Sequence, residues 1–353
     1  MESFNSLIQR AADQRASDLH LSVGLPPMIR VDGKIMPLDK RASACTPEDV
    51  VEVAYGIMEE EQIETFQKKG EVDFAYGIPG VGRYRMNVFR QKGTCALAAR
   101  ILNDYIPRPE TLNVPQALVD MCHKKSGLIL VTGPTGSGKS TTLASLIGLI
   151  NQSYNHHIIT MEDPIEYVHN HAKCIVNQRE MGEDSGSYAT ALRAALREDP
   201  DVLQVGEMRD LETISAALTA AETGHLVFST LHTIGAVNTI DRIIDVFPPH
   251  QQAQIRTQLA DVLKCVVTQR LVPHISGQGR VNISEVMVVT PAIANQIRDG
   301  KTFQIPNAMQ TGRSLGMITM DDALLDAYMR FDIDREVALA YAQDPVTLAR
   351  RMY

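Results

Sequence analysis

The octet Gly133-Pro134-Thr135-Gly136-Ser137-Gly138-Lys139-Ser140 fills every fixed position of the pattern G-x-x-x-x-G-K-[ST]. Leu128-Ile129-Leu130-Val131 before it and Thr141-Thr142-Leu143-Ala144-Ser145-Leu146 after it predict a buried strand running into a helix, the setting in which the pattern has a mechanism. Its glycines let successive backbone N–H groups turn inward around an anion, and the amino end of the helix adds a positive dipole. Lys139 supplies a mobile charge for the outer phosphates, and Ser140 is placed to put its hydroxyl on the magnesium ion that accompanies a nucleoside triphosphate. Residues 133 through Thr141 are the candidate nucleotide-binding set.

Three further stretches place reactive side chains at the ends of apolar runs. Asp201-Val202-Leu203-Gln204-Val205-Gly206-Glu207 ends in a carboxylate that could hold the same magnesium ion, directly or through water. Gln204 is an awkward polar residue for a strand covered on both faces. Ile158-Ile159-Thr160-Met161-Glu162-Asp163-Pro164-Ile165-Glu166 offers several carboxylates, of which Glu162, first after the strand, is the candidate for orienting and deprotonating the attacking water. Leu226 to Leu231 carries a histidine at each end. His232 lies at the end facing the phosphates and could sense the terminal one, whereas His225 reads as structural and neither as a metal ligand.

These residues need a scaffold that gathers strand ends. From about residue 116, buried strands alternate with helices, at 128–132, 157–161, 202–206 and 226–230, which predicts a parallel sheet covered on both faces. Ligands of such sheets bind beyond the carboxyl ends of the strands, so the four polar clusters should converge on one crevice. After residue 250 the pattern reads as mainly helical, with a possible strand over 281–289. Residues 1–103 read as a smaller α+β domain: an amphipathic helix from Phe4, strands over 17–23, 28–31 and 34–38 with a turn at Asp32-Gly33, and a helix capped by Thr46-Pro47-Glu48-Asp49. Strands then follow over 71–101, with a Gly/Pro turn at 77–82. Arg83 and Arg85 share one face of the second of these, which by spacing alone is a solvated sheet face. The prolines of Asp104-Tyr105-Ile106-Pro107-Arg108-Pro109 predict a linker over 104–115, and 116–353 form the larger domain.

Composition narrows the classes. The 353 residues are 44% hydrophobic and 22% charged, ordinary for a globular chain with room for two domains. A net charge of -8 argues against a general nucleic-acid binder. Five scattered cysteines, Cys45, Cys95, Cys122, Cys174 and Cys265, contain no C-x-x-C pair and predict reduced core thiols. No signal-peptide pattern and no run of about 18 apolar residues is present, which predicts a cytosolic location.

Taken together, the phosphate loop, Met161-Glu162-Asp163-Pro164-Ile165-Glu166-Tyr167, Val205-Gly206-Glu207-Met208-Arg209-Asp210 and Thr223-Gly224-His225 to Leu231-His232-Thr233 resemble the four motifs of the secretion ATPases. The chain is similar nearly end to end to the type IV pilus retraction branch, and Ala16-Ser17-Asp18-Leu19-His20 with Gly82-Arg83-Tyr84-Arg85 fit that branch's amino-terminal PAS-like domain. The resemblance implies a RecA-like ATPase domain after the PAS-like one, ATP as the nucleotide, and a homohexameric ring. It further implies that Arg83, Arg85 and Arg100 reach phosphates across a subunit boundary. The implied partners are an inner-membrane platform protein and the pilus machinery, on the cytoplasmic face, without nucleic acid. The related assembly and type II ATPases typically have an extra amino-terminal domain and a tetracysteine insertion, and neither is found here. Ala292-Ile293-Ala294-Asn295-Gln296-Ile297-Arg298-Asp299 matches a retraction-family helix reading A-I-R-N-L-I-R-E but departs from it at Ala294, Gln296 and Asp299.

Three other readings stand beside this one. An accessory pilus or secretion-system ATPase would share all of these motifs. A RecA-like nucleic-acid motor would need a basic, aromatic-bearing channel, for which 5% aromatics and no Trp are poor material. A small-molecule kinase would need an acceptor pocket that no stretch supplies.

Overall fold

A computed structural model of the chain describes residues 2–31, 33–78, 81–102 and 105–352. The expected turn at Asp32, Pro79-Gly80 within the 77–82 turn, and Asp104 at the head of the linker lie outside the described residues. The chain divides into two compact units, Met1–Tyr105 and Ile106–Tyr353.

The first unit runs α1 (Phe4–Asp13), β1 (Asp18–Ser22), β2 (Met28–Val31), β3 (Lys34–Pro37), α2 (Pro47–Ile57), α3 (Glu60–Lys69), β4 (Glu71–Ile78), β5 (Gly82–Gln91) and β6 (Thr94–Ile101). Its six strands form one antiparallel sheet in the order β3-β2-β1-β6-β5-β4. Thr46 caps α2 with its hydroxyl on the Asp49 N–H at 3.1 Å, and the Asp49 carboxylate accepts the Thr46 N–H at 2.8 Å, a reciprocal capping box. β5 alternates as a half-buried strand should: Tyr84, Met86 and Val88 enter a core with Phe4, Ile8 and Leu97, leaving Arg83 and Arg85 on the other face.

The second unit contains α4 (Gln116–Val119), β7 (Gly127–Thr132), α5 (Lys139–Ser153), β8 (His157–Glu162), β9 (Ile175–Glu180), α6 (Tyr188–Ala195), β10 (Val202–Val205), α7 (Leu211–Glu222) and β11 (Leu226–Leu231). It continues with α8 (Ala236–Asp245), α9 (Pro249–Val262), β12 (Leu263–Pro273), β13 (Arg280–Val288), α10 (Pro291–Arg298), α11 (Ile305–Thr311), α12 (Met320–Met329), α13 (Arg335–Tyr341) and α14 (Pro345–Arg351). The sheet order is β13-β12-β7-β11-β10-β8-β9, parallel throughout except for the β12–β13 pair. Every residue of β7, β10 and β11 is buried, as expected of strands with helices on both faces.

Two elements depart from the sequence reading. Residues 263–273, read within a mainly helical region, form the long strand β12 between β7 and β13. Val266, Val267 and Thr268 are β-branched and fill both faces of the sheet there, and packing overrides the helical pattern of the preceding α9. β9, for which no strand was expected, closes the opposite edge. The five cysteines are free and buried, and burial pushes the Cys122 and Cys265 thiols up to about 12, so they pack as small apolar residues.

Candidate active site

β7 delivers the chain into the phosphate loop beside β12, and the approach is too close for any side chain. A Cβ on Gly133 would sit 2.3 Å from the Gln269 carbonyl oxygen and 2.8 Å from Ser137 Oγ, and its φ of +137° also requires glycine. Gly138, at φ +88°, occupies the N-cap of α5, so the loop's N–H groups and the open end of the helix share one hollow. Ser137 is 3% exposed, and its Oγ has no hydrogen-bond partner among the described residues. An unpaired donor in a nest of backbone N–H groups fits a phosphate oxygen. Lys139 is 9% exposed, and its ammonium donates to the carbonyls of Gly133 at 2.9 Å and Pro134 at 3.1 Å. Burial draws its pKa below the usual lysine value, against the opposing pull of Glu207 and Glu166. Ser140 is exposed in the first turn of α5, and Thr141 Oγ1 bonds Tyr167 OH at 3.0 Å, tying this turn to the acidic loop.

Glu162 ends β8 with part of its surface exposed, yet its carboxylate is surrounded by protein. Its Oε1 accepts Thr160 Oγ1 at 2.6 Å and Gln178 Nε2 at 3.0 Å, and the Glu166 N–H also donates to the carboxylate. Burial wins over these donors and raises its pKa, a direction suited to a base. Gln178 on β9 also donates to the Tyr167 carbonyl at 2.9 Å and accepts the His169 N–H at 2.7 Å, fixing the acidic loop around Glu162. Glu180 does the same for the Ile165 N–H at 3.1 Å. Asp163 and Glu166 are exposed.

Glu207 follows β10 with 16% of its side chain exposed and sits between two basic groups. Arg209 Nε lies 2.5 Å and His232 Nε2 3.2 Å from the same oxygen, Oε1. Gly206 permits this turn: a Cβ there would meet Tyr188 OH at 2.7 Å and the Met161 carbonyl at 3.0 Å. Burial, followed by Asp163, Glu207 and Glu162, raises the Tyr188 pKa, which keeps the hydroxyl protonated among these carboxylates. Gln204 is 5% exposed in the strand below, facing Thr160 and Phe228 on its neighbours. His225, at the other end of β11, bonds the Ala220 carbonyl at 3.0 Å. No group of His, Cys, Asp and Glu among the described residues is arranged as a metal cage of protein ligands alone.

The second unit thus brings the phosphate loop, Glu207 and His232 together, with Glu162 beside them. Arg83, Arg85 and Arg100 belong to the first unit. Arg85 is the direct cross-strand neighbour of Arg100, so the three share one sheet face, where Arg100 Nε pairs with Asp18 Oδ1 at 3.1 Å. Sequence reasoning missed Tyr188 and Gln178 as parts of the site, and gave no role to Arg209 although it lies within the Val205–Asp210 motif. Only Arg209 had a local signal, its place two residues beyond a carboxylate.

A glycine-rich loop that can cradle phosphates, a desolvated carboxylate and a hydrogen-bonding Glu207–His232 pair are suited to phosphoryl transfer from a nucleoside triphosphate to water. Residues 110–324 match the family model described as type II/IV secretion system protein. The chain is 48% identical over 339 residues to the type IV pilus retraction ATPase PilT of Pseudomonas aeruginosa, covering 96% of this chain and 98% of that one. It is 42% identical over 347 residues to a twitching motility protein of Neisseria gonorrhoeae, covering 98% and 92%. A crystal structure of the pilus retraction motor PilT with bound ADP superimposes with a TM-score of 0.93 at 49% identity, over 99% of this chain and 100% of that one.

Proposed function

The chain belongs to the type II/IV secretion system protein family, and we propose that within it the chain is the ATP-hydrolysing motor of type IV pilus retraction. The observation that carries this reading is the 48% identity to PilT over nearly the full length of both chains, together with the intact loop, carboxylates and histidine on the RecA-like domain. In this reading the loop N–H groups and Lys139 bind the triphosphate of ATP. Glu162 orients a water and takes its proton as the oxygen attacks the terminal phosphorus and the bond to the departing diphosphate breaks. Ser140 and Glu207 would hold the magnesium ion, which supplies charge neutralisation on the phosphate oxygens. His232 faces the terminal phosphate. Arg83, Arg85 and Arg100 act on the nucleotide of a neighbouring subunit in a homohexamer, so turnover depends on ring geometry and drives domain motion. The ring works at the inner face of the membrane on a platform protein of the pilus machine. Among the described residues no helix is long and apolar enough to cross a membrane.

Deletion of the gene in its host tests the reading. Cells that stay piliated but cannot retract, restored by the wild-type chain and not by Lys139→Ala, are expected. Cells that lose their pili, or retract normally, would point to an assembly or secretion role instead.

A further inference from the structure

Glu285 lies in the middle of β13 with 5% of its surface exposed, and its partners among the described residues are all N–H groups. Oε1 accepts the Ala236 N–H at 2.7 Å. Oε2 accepts the Met320 N–H at 3.2 Å and Gln343 Nε2 at 3.4 Å. Ala236 and Met320 are the first residues of α8 and α12, so a single carboxylate satisfies the open amino ends of two helices and sits at the positive end of both dipoles. Burial raises its pKa against these donors.

The two helices lead to different places. Ala236 is four residues beyond His232, and the segment between them is pinned over the carboxylate. Thr233 Oγ1 bonds Thr239 Oγ1 at 2.8 Å, and Gly235, at φ +92°, has its Cβ position 3.6 Å from Gln343 Nε2 and 3.8 Å from Glu285 Oε1. On the other side, Asp321 in α12 accepts the main-chain N–H groups of Gln343 at 2.6 Å and Asp344 at 2.9 Å. Asp322 pairs with Arg351 and Arg313, and Leu324, Ala327, Ala338 and Leu348 share one core, which binds α12, α13 and α14 into a single body.

We propose that Glu285 is a positioning residue for hydrolysis, holding His232 at the phosphate end of the crevice through the first turn of α8 and making that position depend on α12 and Gln343. It rests on the reading of His232 at the terminal phosphate. A displacement of the carboxyl-terminal helices then takes donors from one carboxylate oxygen and loosens the histidine segment on the other, which couples that body to turnover without any contact with nucleotide.

The assembled full-length chain, assayed for steady-state ATP hydrolysis, tests this with Glu285→Gln, His232→Ala and the double variant. Glu285→Gln should lower kcat by about tenfold or more, with KM for ATP within about twofold of wild type, and should cause no further loss in the His232→Ala background. Losses that multiply in the double variant, or an unchanged kcat for Glu285→Gln, would overturn the proposal alone. A wild-type kcat for His232→Ala would remove the phosphate-sensing reading and the proposal with it. If Glu285→Gln does not fold, Gln343→Ala decides by the same cycle: a kcat lowered about two- to fivefold, with the loss abolished by His232→Ala, is expected, and a multiplying or absent loss overturns the proposal.

Discussion

His232 Nε2 lies 3.2 Å from Glu207 Oε1, so the carboxyl ends of β11 and β10 meet at one oxygen, which Arg209 shares at 2.5 Å. A carboxylate held in this way is oriented before any ion or nucleotide arrives, and it is distinct in surroundings from Glu162, whose partners are a hydroxyl, an amide and a backbone N–H.

That difference predicts different phenotypes. Glu162→Gln should bind ATP normally and hydrolyse it about a hundredfold more slowly or worse, because an amide cannot accept the proton. Glu207→Gln should instead require more magnesium for half-maximal rate. A magnesium titration of both variants checks the division of roles, and superimposable curves would show it to be wrong.

The arginines are expected to act between subunits. An Arg83→Ala subunit keeps its own phosphate loop and a Lys139→Ala subunit keeps its own arginines, so a mixed assembly of the proposed ring would contain junctions where both halves are intact. Partial ATPase activity should return when the two inactive proteins co-assemble. Verified mixed rings that stay inactive, built from an Arg83→Ala protein that binds ATP normally, would count against action in trans.

Gly206 and Tyr188 make a steric prediction. Gly206→Ala drives a methyl against Tyr188 OH and should destabilise the second unit by about 1–3 kcal/mol. Tyr188→Phe removes the atom at 2.7 Å and should return part of that loss, although the ring carbon at 3.3 Å remains close. Thermal melts of the single and double variants check it; equal midpoints for Gly206→Ala with and without Tyr188→Phe would refute the contact.

His169 makes a pH prediction. Burial lowers its pKa to about 4, below the unfolded value near 6.5, so the unfolded chain binds the extra proton between these values. Its contribution to stability is complete above about 6.5 and is lost as pH falls toward about 4, roughly 2 kcal/mol by pH 5. His169→Gln, which does not titrate, should reduce the fall in unfolding free energy between pH 7 and pH 5, read from urea melts, by that amount. An unchanged slope would mean the imidazole is solvated in the native state.

The strands carrying the phosphate loop, Glu162, Glu207 and His232 were legible because each is a short, largely apolar run followed by a cluster of polar or charged residues. β12 was not, because α9 ends at Val262 and the strand begins at Leu263, with no glycine or proline between them to mark the change of period. β9 escaped for the opposite reason: Gln178 and Glu180 fasten the acidic loop, so the strand lacks an apolar stripe. Tyr188 and Glu285 act across long chain separations, against Gly206 and on Ala236 and Met320, and no local spacing records such contacts.

ATP hydrolysis at the phosphate loop is the claim on which the rest depends, and phosphate release by the purified chain with magnesium and ATP tests it most directly. Lys139→Ala removes the charge that the Gly133 and Pro134 carbonyls hold in the loop. Steady turnover by the wild type and a rate lower by about a hundredfold or more in the folded variant are predicted, since positioned charge in phosphoryl transfer is worth several powers of ten. A folded Lys139→Ala protein that keeps more than about a tenth of the wild-type rate would contradict the account.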